Sequence, residues 1–67
     1  MEHFSERLRE LRQERNLSLS SLANLTGLSN SSLCRWENAQ TDIKSEQLII
    51  LANFFGVTTD FLLGLED

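Results

Sequence analysis

Apolar residues recur every three or four positions along most of the chain, which is the spacing of one face of an α-helix. The pattern predicts a first helix from about residue 4 or 5 to 15, and a fourth from about 45 to 55. Two shorter helices are predicted between them, and a short fifth helix follows Thr58. The expected inward-facing stripes are Phe4, Leu8, Leu11 and Arg15 on the first helix, and Leu48, Leu51, Ala52 and Phe55 on the fourth.

Residues 19–38 predict a helix, a tight turn and a second helix. Gly27 stands at the pivot, because glycine tolerates the left-handed conformation that ends a helix. Ser18 and Ser29 immediately precede the two helices and are expected to cap them, since a serine hydroxyl accepts a hydrogen bond from a backbone N–H two or three residues on. Two short helices joined by a glycine-containing turn form a helix-turn-helix unit, whose second helix can lie in the DNA major groove.

The second helix of this unit, residues 30–38, has two faces when each residue turns it by about 100°. Leu33, Trp36 and Glu37 share the inward face, with Asn30 at its edge. The outward ridge carries a guanidinium, amides and hydroxyls, which bind base edges and phosphate oxygens. Taken alone, an ordinary amphipathic helix with a solvated polar face explains this pattern better. The ridge consists of Asn30, Ser31, Arg35 and Asn38.

This unit is part of a longer set of residues that resembles the Cro and phage-repressor family of helix-turn-helix domains. The set stands at the family's spacing without gaps and covers nearly the whole chain. The resemblance implies an all-α fold, a compact five-helix lambda-repressor-like DNA-binding domain that occupies residues 1–67 as one unit. It also implies binding to operator DNA, usually as a dimer. The matching residues are Leu11, Arg12, Leu17, Ser18, Leu22, Ala23, Gly27, Leu28, Ser29, Leu33, Trp36, Glu37, Asn38, Leu48, Leu51, Ala52, Gly56, Val57, Leu62 and Leu63.

In similar family members, the residues at the positions of Arg12 and Glu37 pair across the helices, which implies a structural ion pair here. Each lies beside an apolar stripe, and two half-buried opposite charges require each other. Three positions depart from the family's pattern. Leu19 stands where many members carry a Gln that reaches a phosphate, Ala39 replaces a usual Gly, and Ile43 replaces a frequent Pro. We expect Ala39 to strain its turn or change it, and the loop at Ile43 to be less rigid.

The net charge of −4 and the pI of about 4.8 are unusual for a DNA-binding domain, which normally has a basic surface. Between residues 18 and 41 only Arg35 and Glu37 are charged, so the expected DNA-facing side releases few counterions. Lys44 is the only other cation expected to meet backbone phosphate. Every charge of the first helix except Arg12 is predicted to be solvated. The acids expected away from DNA are Glu2, Glu6, Glu10, Glu14, Glu66 and Asp67.

The fourth helix is apolar on more than one side, because Ile49, Ile50 and Phe54 lie outside its inward stripe. For so small a chain this predicts a second buried surface, although scattered surface hydrophobes are also normal. One recognition helix reads only a few base pairs, and no second domain is expected, so affinity requires two copies of the chain. A homodimer is therefore predicted through Ile50, Phe54, Phe61 and Leu65.

No catalytic residues, metal site or cofactor are expected. His3 and Cys34 are the only histidine and cysteine, so neither a metal-ligand set nor a base-activated serine is available. Cys34 is expected to be an inert thiol at the edge of the ridge. The single cysteine, and the lack of a secretory signal or a membrane-spanning apolar run, predict a cytoplasmic protein, bacterial or phage-encoded, without membrane association.

The leading functional prediction is a sequence-specific DNA-binding transcriptional regulator, repressor-like, that reads the major groove of a two-fold operator with residues 30–38. Arg35 is the expected partner of a guanine. The alternative is a protein-interaction module of the same fold that has lost DNA binding, which the low pI, Leu19 and the nearly neutral face favour. The residues predicted to contact DNA are Ser18, Ser20, Ser29, Asn30, Ser31, Ser32, Arg35, Asn38 and Lys44.

Overall fold

The computed structural model describes residues 2–66, which contain five α-helices joined by short turns and loops and no strand. Met1, Asp67 and the side chain of Glu2 lie outside the described part, so the expected placement of the Glu2 and Asp67 charges stays a prediction. Within residues 2–66, no helix has the length and apolar character needed to cross a membrane. The helices are α1 (Glu2–Glu14), α2 (Leu19–Thr26), α3 (Asn30–Glu37), α4 (Ser45–Phe55) and α5 (Thr59–Leu62).

Local capping signals set the ends of the short helices as predicted. Ser18 and Ser29 precede α2 and α3, and each accepts a hydrogen bond from the backbone N–H three residues on. Gly27 ends α2 in the left-handed conformation with a φ of 79°, and Gly56 ends α4 with a φ of 70°. Thr58 caps α5 in the same way as the two serines. These caps satisfy backbone groups that the helix ends would otherwise leave unpaired.

The helices enclose one hydrophobic core because each of them packs against two others. α3 packs on α1 and α2, α5 packs on α1 and α4, and α2 packs on α4. The predicted inward stripes are buried, except that Leu11 is half-buried and Arg15 is exposed. Each fully buried leucine contributes about 1.5–3 kcal/mol. The core consists of Phe4, Leu8, Leu22, Leu33, Trp36, Leu48, Leu51, Ala52, Phe55 and Leu62.

The first helix begins earlier and ends earlier than the spacing predicts. It begins at Glu2, and His3 in its first turn packs so closely on Gly64 that a Cβ atom there would overlap the His3 side chain. It ends at Glu14, because Asn16 takes a left-handed φ of 56° that no longer continues the helix. Contacts with the end of the chain therefore extend α1 beyond its apolar stripe.

Ala39 occupies a turn that glycine would favour. Its φ is 56°, and the N–H of Gln40 donates to the carbonyl of Arg35 at 2.8 Å, as in a Schellman-type helix end. A Cβ atom in the left-handed region costs roughly 1–2 kcal/mol. The expectation of strain at this turn is therefore confirmed, and α3 ends at Glu37 with Asn38 as its cap.

The prediction that every charge of the first helix, as predicted to residue 15, is solvated except Arg12 is wrong, because Arg9 and Arg15 donate to backbone carbonyls of other helices. Arg15 reaches the C-terminus of α4, where its guanidinium donates to the carbonyls of Phe54 at 3.3 Å and Phe55 at 3.0 Å. The guanidinium also lies over these two rings, 5.3 Å and 5.2 Å from their centroids. The last carbonyls of a helix lack intrahelical partners and attract a cation. Arg15 therefore joins the ends of α1 and α4.

Two arginines, Arg7 of α1 and Arg15 just after it, partly cover two residues of the predicted dimer surface. Arg15 covers Phe54, and the guanidinium of Arg7 lies 4.2 Å from the centroid of the Phe61 ring. Both phenylalanines are half-buried, so less apolar surface is exposed here than the sequence pattern suggested. The exposed members of the predicted surface are Ile50 at 39% and Leu65 at 72%.

Candidate nucleic-acid interface

Hydrogen bonds from α1 hold the C-terminal end of α3, and the sequence pattern did not predict them. Ser5 Oγ donates to the carbonyl of Trp36 at 2.6 Å in a buried position. Arg9 Nη2 donates to the carbonyl of Glu37 at 2.6 Å. Leu33 and Trp36 are buried on the same side of α3. The inward side of α3 is therefore fixed against α1, and the opposite side faces solvent.

A bidentate ion pair joins the same two helices. Arg12 Nε donates to Glu37 Oε2 at 2.6 Å, and Arg12 Nη2 donates to Glu37 Oε1 at 2.9 Å. The third guanidinium nitrogen donates to the carbonyl of Leu17 at 2.8 Å. The hydrogen bonds to Glu37 raise the pKa of Arg12, and this effect exceeds the opposing effect of burial. Because Glu37 is turned inward, the outward face of α3 carries no negative charge.

The outward face of α3 and the adjoining helix ends are accessible to a ligand. Of the residues predicted to contact DNA, only Ser32 is half-buried, and the others are exposed. Arg35 and Ser31 make no side-chain hydrogen bond or ion pair with any other described residue. Arg35 therefore presents all its N–H donors to solvent, and Lys44 lies exposed at the start of α4.

Two of the residues predicted to contact DNA, Ser18 and Ser29, form the N-terminal caps of α2 and α3. Ser18 Oγ and Ser29 Oγ each accept from an N–H at 3.0 Å. Each hydroxyl also donates to a serine hydroxyl three residues on, Ser21 at 2.9 Å and Ser32 at 2.8 Å. A hydroxyl has a single proton to donate. These serines therefore order the starts of α2 and α3, and a direct bond to phosphate requires that proton to turn away from its present partner.

Two amides of the ridge also have partners within the chain. Asn30 Nδ2 donates to Ser20 Oγ at 2.9 Å, across the turn between α2 and α3. Asn38 Nδ2 donates to the carbonyl of Cys34 at 3.0 Å and lies 3.5 Å from its thiol sulfur. The amide of Asn38 thus turns back on α3, whereas that of Asn30 joins the two helices of the motif.

A shallow groove of about 470 Å³ runs between α2 and α3 and is open to solvent. Asn24 is a polar residue of this groove that the sequence prediction did not include. It lies on the exposed side of α2, and no signal in the sequence separates it from ordinary solvated surface. The groove is lined by Ser20, Ala23, Asn24, Gly27, Leu28 and Asn30.

The described part of the chain contains no group of side chains that could bind a metal ion. No three side chains of His, Cys, Asp or Glu there are grouped so that they could hold an ion. Cys34 is a half-buried free thiol. The polar groups that remain available on α3 are hydrogen-bond donors and acceptors, which suits recognition of a polar surface.

The capped helices, the left-handed glycine turn and the exposed polar side of α3 define a helix-turn-helix domain. The sequence profile of the family described as "Helix-turn-helix" matches residues 8–62. The chain belongs to this family, of the Cro and phage-repressor type that its residues resemble.

Relatives with this domain are named as transcriptional regulators. The HTH-type transcriptional regulator DdrOP3 of Deinococcus deserti is 44% identical over 62 residues, 91% of this chain and 48% of the relative. The HTH-type transcriptional regulator AnsR of Bacillus subtilis is 39% identical over 61 residues, 91% of this chain and 53% of the relative. The chain spans about half the length of the curated relatives it matches.

A solved structure has the same fold over almost its whole length. The restriction-modification controller protein C.AhdI from Aeromonas hydrophila superposes with a TM-score of 0.81 and 33% sequence identity. The match covers 90% of this chain and 91% of that protein. The predicted all-α, five-helix fold is therefore confirmed, both by the helices of this chain and by its likeness to a known structure.

Proposed function

We propose that the chain is a sequence-specific DNA-binding transcriptional regulator, repressor-like, that acts in the cytoplasm and inserts α3 into the major groove. The observation that carries the proposal is Arg35, which is exposed on the outward side of α3 and has no side-chain partner among the described residues. An arginine that binds O6 and N7 of guanine is the commonest specific contact in protein–DNA complexes. Relatives named as transcriptional regulators support the same function.

The distribution of charge supports DNA binding in spite of the net charge of −4. Ser5, Arg9 and Arg12 mark the side of α1 that faces α3. At about 100° per residue, the carboxylates of α1 lie roughly 100–180° around the helix from that side. They are exposed and directed away from α3, whereas Glu37 is buried against Arg12. These α1 carboxylates are Glu6, Glu10 and Glu14.

Electrostatic attraction to DNA is nevertheless weak in this proposal. Arg35 and Lys44 are the cations expected to meet DNA, and each phosphate neutralised contributes about 0.9 to the slope of log K against log salt. A dimer then has a slope of roughly −4 at most. Leu19 cannot donate to a phosphate, and it packs against the core. Hydrogen bonds and the joining of two domains must therefore supply most of the affinity.

We infer a homodimer on a two-fold operator, with the two copies of α3 about 34 Å apart. The longest dimension of the domain is 27 Å, so this spacing requires two domains side by side. An interface of ordinary size takes about 800 Å² from each partner, roughly a fifth of the domain's 4153 Å² surface. Ile50 and Leu65 supply exposed apolar area. The arginine-covered rings of Phe54 and Phe61 extend it, and arginine and aromatic residues are common at the centres of interfaces.

The second candidate is a protein-interaction module of the same fold without DNA binding. The observations that favour it are the apolar Leu19 at the start of α2 and the acidic net charge. The two candidates differ in one measurable property, which is affinity for duplex DNA at low salt. The interaction module has none, whereas the regulator binds any duplex weakly through phosphate contacts and binds its operator more tightly.

The experiment is a fluorescence anisotropy titration of a labelled random-sequence duplex with the full chain at about 50 mM salt. We expect measurable binding that weakens as salt rises. The charge-removing variant Lys44→Gln should weaken it, while Gln13→Ala, an exposed change on α1, should leave it unchanged. Lack of binding to any duplex at this salt concentration would contradict the proposal and favour the interaction module.

A further inference from the structure

We infer that Glu46 of one copy of the chain and Arg15 of a second copy form an ion pair, an inference that rests on the homodimer of the proposed function. Glu46, Ile50 and Phe54 stand four residues apart on α4, so they lie along one side of the helix. The guanidinium of Arg15 lies over the Phe54 ring, 5.3 Å from its centroid. This side of α4 therefore has a carboxylate one turn before Ile50 and a cation one turn after it.

The order of these charges favours one arrangement of the two copies. In a two-fold dimer the same surface of each copy meets its twin, so that residue i contacts j and j contacts i. When the axis passes beside Ile50 and the two α4 helices run antiparallel, Glu46 of one copy lies opposite the Arg15 end of the other α4. Parallel helices would instead place each charge opposite its own counterpart, where like charges repel. Only the antiparallel arrangement pairs opposite charges.

The dimensions of α4 suit this pair. A helix rises about 1.5 Å per residue, so Glu46 and Phe54 lie about 6 Å from Ile50 along the axis, one on each side. Helices that pack at the common angle of about 20° stay close over that length. The two Glu46 carboxylates of the dimer are then about 12 Å apart along the axis, beyond the Debye length of about 8 Å at physiological salt. Each carboxylate is therefore nearer to a cation than to its twin.

Both charged groups can take a partner from a second copy. Glu46 is exposed and makes no side-chain hydrogen bond or ion pair with any other described residue. Arg15 is also exposed, and it donates to the carbonyls of Phe54 and Phe55. A guanidinium has further N–H donors, which can bind a carboxylate. Because its bonds to α4 already hold the guanidinium in place, it loses less conformational freedom when the dimer forms.

The ion pair should select the arrangement of the dimer more than it strengthens it. An exposed ion pair contributes little, whereas like charges opposite each other across an interface are costly. Symmetry places the contact in the dimer twice, so reversing one charge turns two attractive contacts into two repulsive ones. We expect Glu46→Lys to weaken dimerisation at least about tenfold at low salt, and by less at high salt.

The test is sedimentation of the full chain at low salt without DNA, so that the result does not depend on whether the chain binds a duplex. Glu46→Lys and Arg15→Glu should each be mostly monomeric, because each variant opposes like charges. An equimolar mixture of the two should form a heterodimer, because both of its contacts again join opposite charges. Glu6→Lys makes the same charge change at an exposed residue of α1 and should leave dimerisation unchanged.

A second pair of variants covers the bonds that Arg15→Glu removes from the end of α4. Circular dichroism checks each fold, and Arg15→Gln replaces Arg15→Glu if that variant unfolds. In the Arg15→Gln background, the effect of Glu46→Lys on dimerisation should largely disappear. A native dimer that Glu46→Lys leaves intact, folded variants that do not associate when mixed, or additive effects of Glu46→Lys and Arg15→Gln would overturn this inference alone. A native chain that is monomeric at every concentration would overturn the homodimer as well, whereas DNA binding is tested separately.

Discussion

Arg9 and Glu37 contact each other twice, through the backbone and through the side chain of Glu37. Arg9 Nη2 donates to the Glu37 carbonyl at 2.6 Å, and Arg9 Nε lies 3.6 Å from Oε1 of the carboxylate that Arg12 binds. Glu37 is only 5% exposed, whereas Arg9 is 43% exposed. One buried carboxylate at the end of α3 is therefore shared by two guanidiniums of α1.

We predict that Arg12→Ala lowers the free energy of unfolding by about 3 kcal/mol, since it leaves the Glu37 carboxylate without its bidentate partner. Glu37→Ala should have a similar effect, because Arg12 is only 16% exposed. Arg9→Met should lower the free energy of unfolding by about 1 kcal/mol in the unmodified chain. The decrease should be larger in the Arg12→Ala variant, where Arg9 is the only arginine left beside the Glu37 carboxylate. Urea unfolding of these variants measures each difference.

The control is the double change Arg12→Met with Glu37→Leu, which removes both charges and keeps apolar volume. It should destabilise the fold by less than the sum of the two alanine variants. The raised pKa of Arg12 means that its contribution to stability is fully present below the ordinary arginine pKa, so it should not decline between neutral and moderately alkaline pH. Small, additive effects would show that the pair contributes little.

Ala39→Gly should stabilise the domain. Ala39 has a φ of 56°, and glycine removes the strain of its Cβ atom at the cost of greater freedom in the unfolded chain. The net gain should be about 0.5–1 kcal/mol, or several degrees in melting temperature for a domain of this size. Asn16→Gly is the matched control, because Asn16 has the same φ and asparagine tolerates it better. A lower melting temperature for Ala39→Gly would contradict the assigned strain.

Ile50→Glu should convert a dimeric chain into a folded monomer. Ile50 is 39% exposed, so a carboxylate there is solvated in the monomer and buried at cost in the predicted interface. Sedimentation measures the assembly, and circular dichroism checks the helices. Phe54 is less suitable for this test, because it is half-buried and its ring packs against that of Phe55, with 5.0 Å between the ring centroids.

Leu25→Glu is the control for the dimer, since it adds the same charge at a residue that is 60% exposed on α2. This variant should remain dimeric. A native chain that is monomeric at high concentration would contradict the predicted homodimer, as would a dimer that Leu25→Glu dissociates and Ile50→Glu does not.

Features set by neighbouring residues were predictable from the sequence. Caps such as Ser29 and turns such as Gly27 depend on a few adjacent positions, and the inward stripes follow from helical spacing. The position of the Arg12–Glu37 pair came from the family resemblance, because spacing alone placed each residue only beside an apolar stripe. DNA contact and dimerisation stay predictions for every residue assigned to them.

Contacts between residues distant in sequence were not predictable. The bond from Ser5 to the Trp36 carbonyl spans 31 positions, and that from Arg15 to the Phe55 carbonyl spans 40. Serine and arginine on a charged helix are typical of a solvated face, and their acceptors are backbone carbonyls that every residue has. Only the packing of α1 on α3, and the position of Arg15 beside the end of α4, bring these particular donors and acceptors together.

Base reading by α3 is tested by measuring how Arg35→Ala binds a selected duplex and duplexes changed at each base pair. We expect Arg35→Ala to lose about 1–3 kcal/mol of binding free energy on the selected duplex and to relax the preference at one base pair. Arg35→Lys, which keeps the charge without the planar fork, should retain the salt dependence and lose most of that preference. Equal weakening by Arg35→Ala on all duplexes would contradict base reading by Arg35, because it would show that Arg35 contacts phosphate.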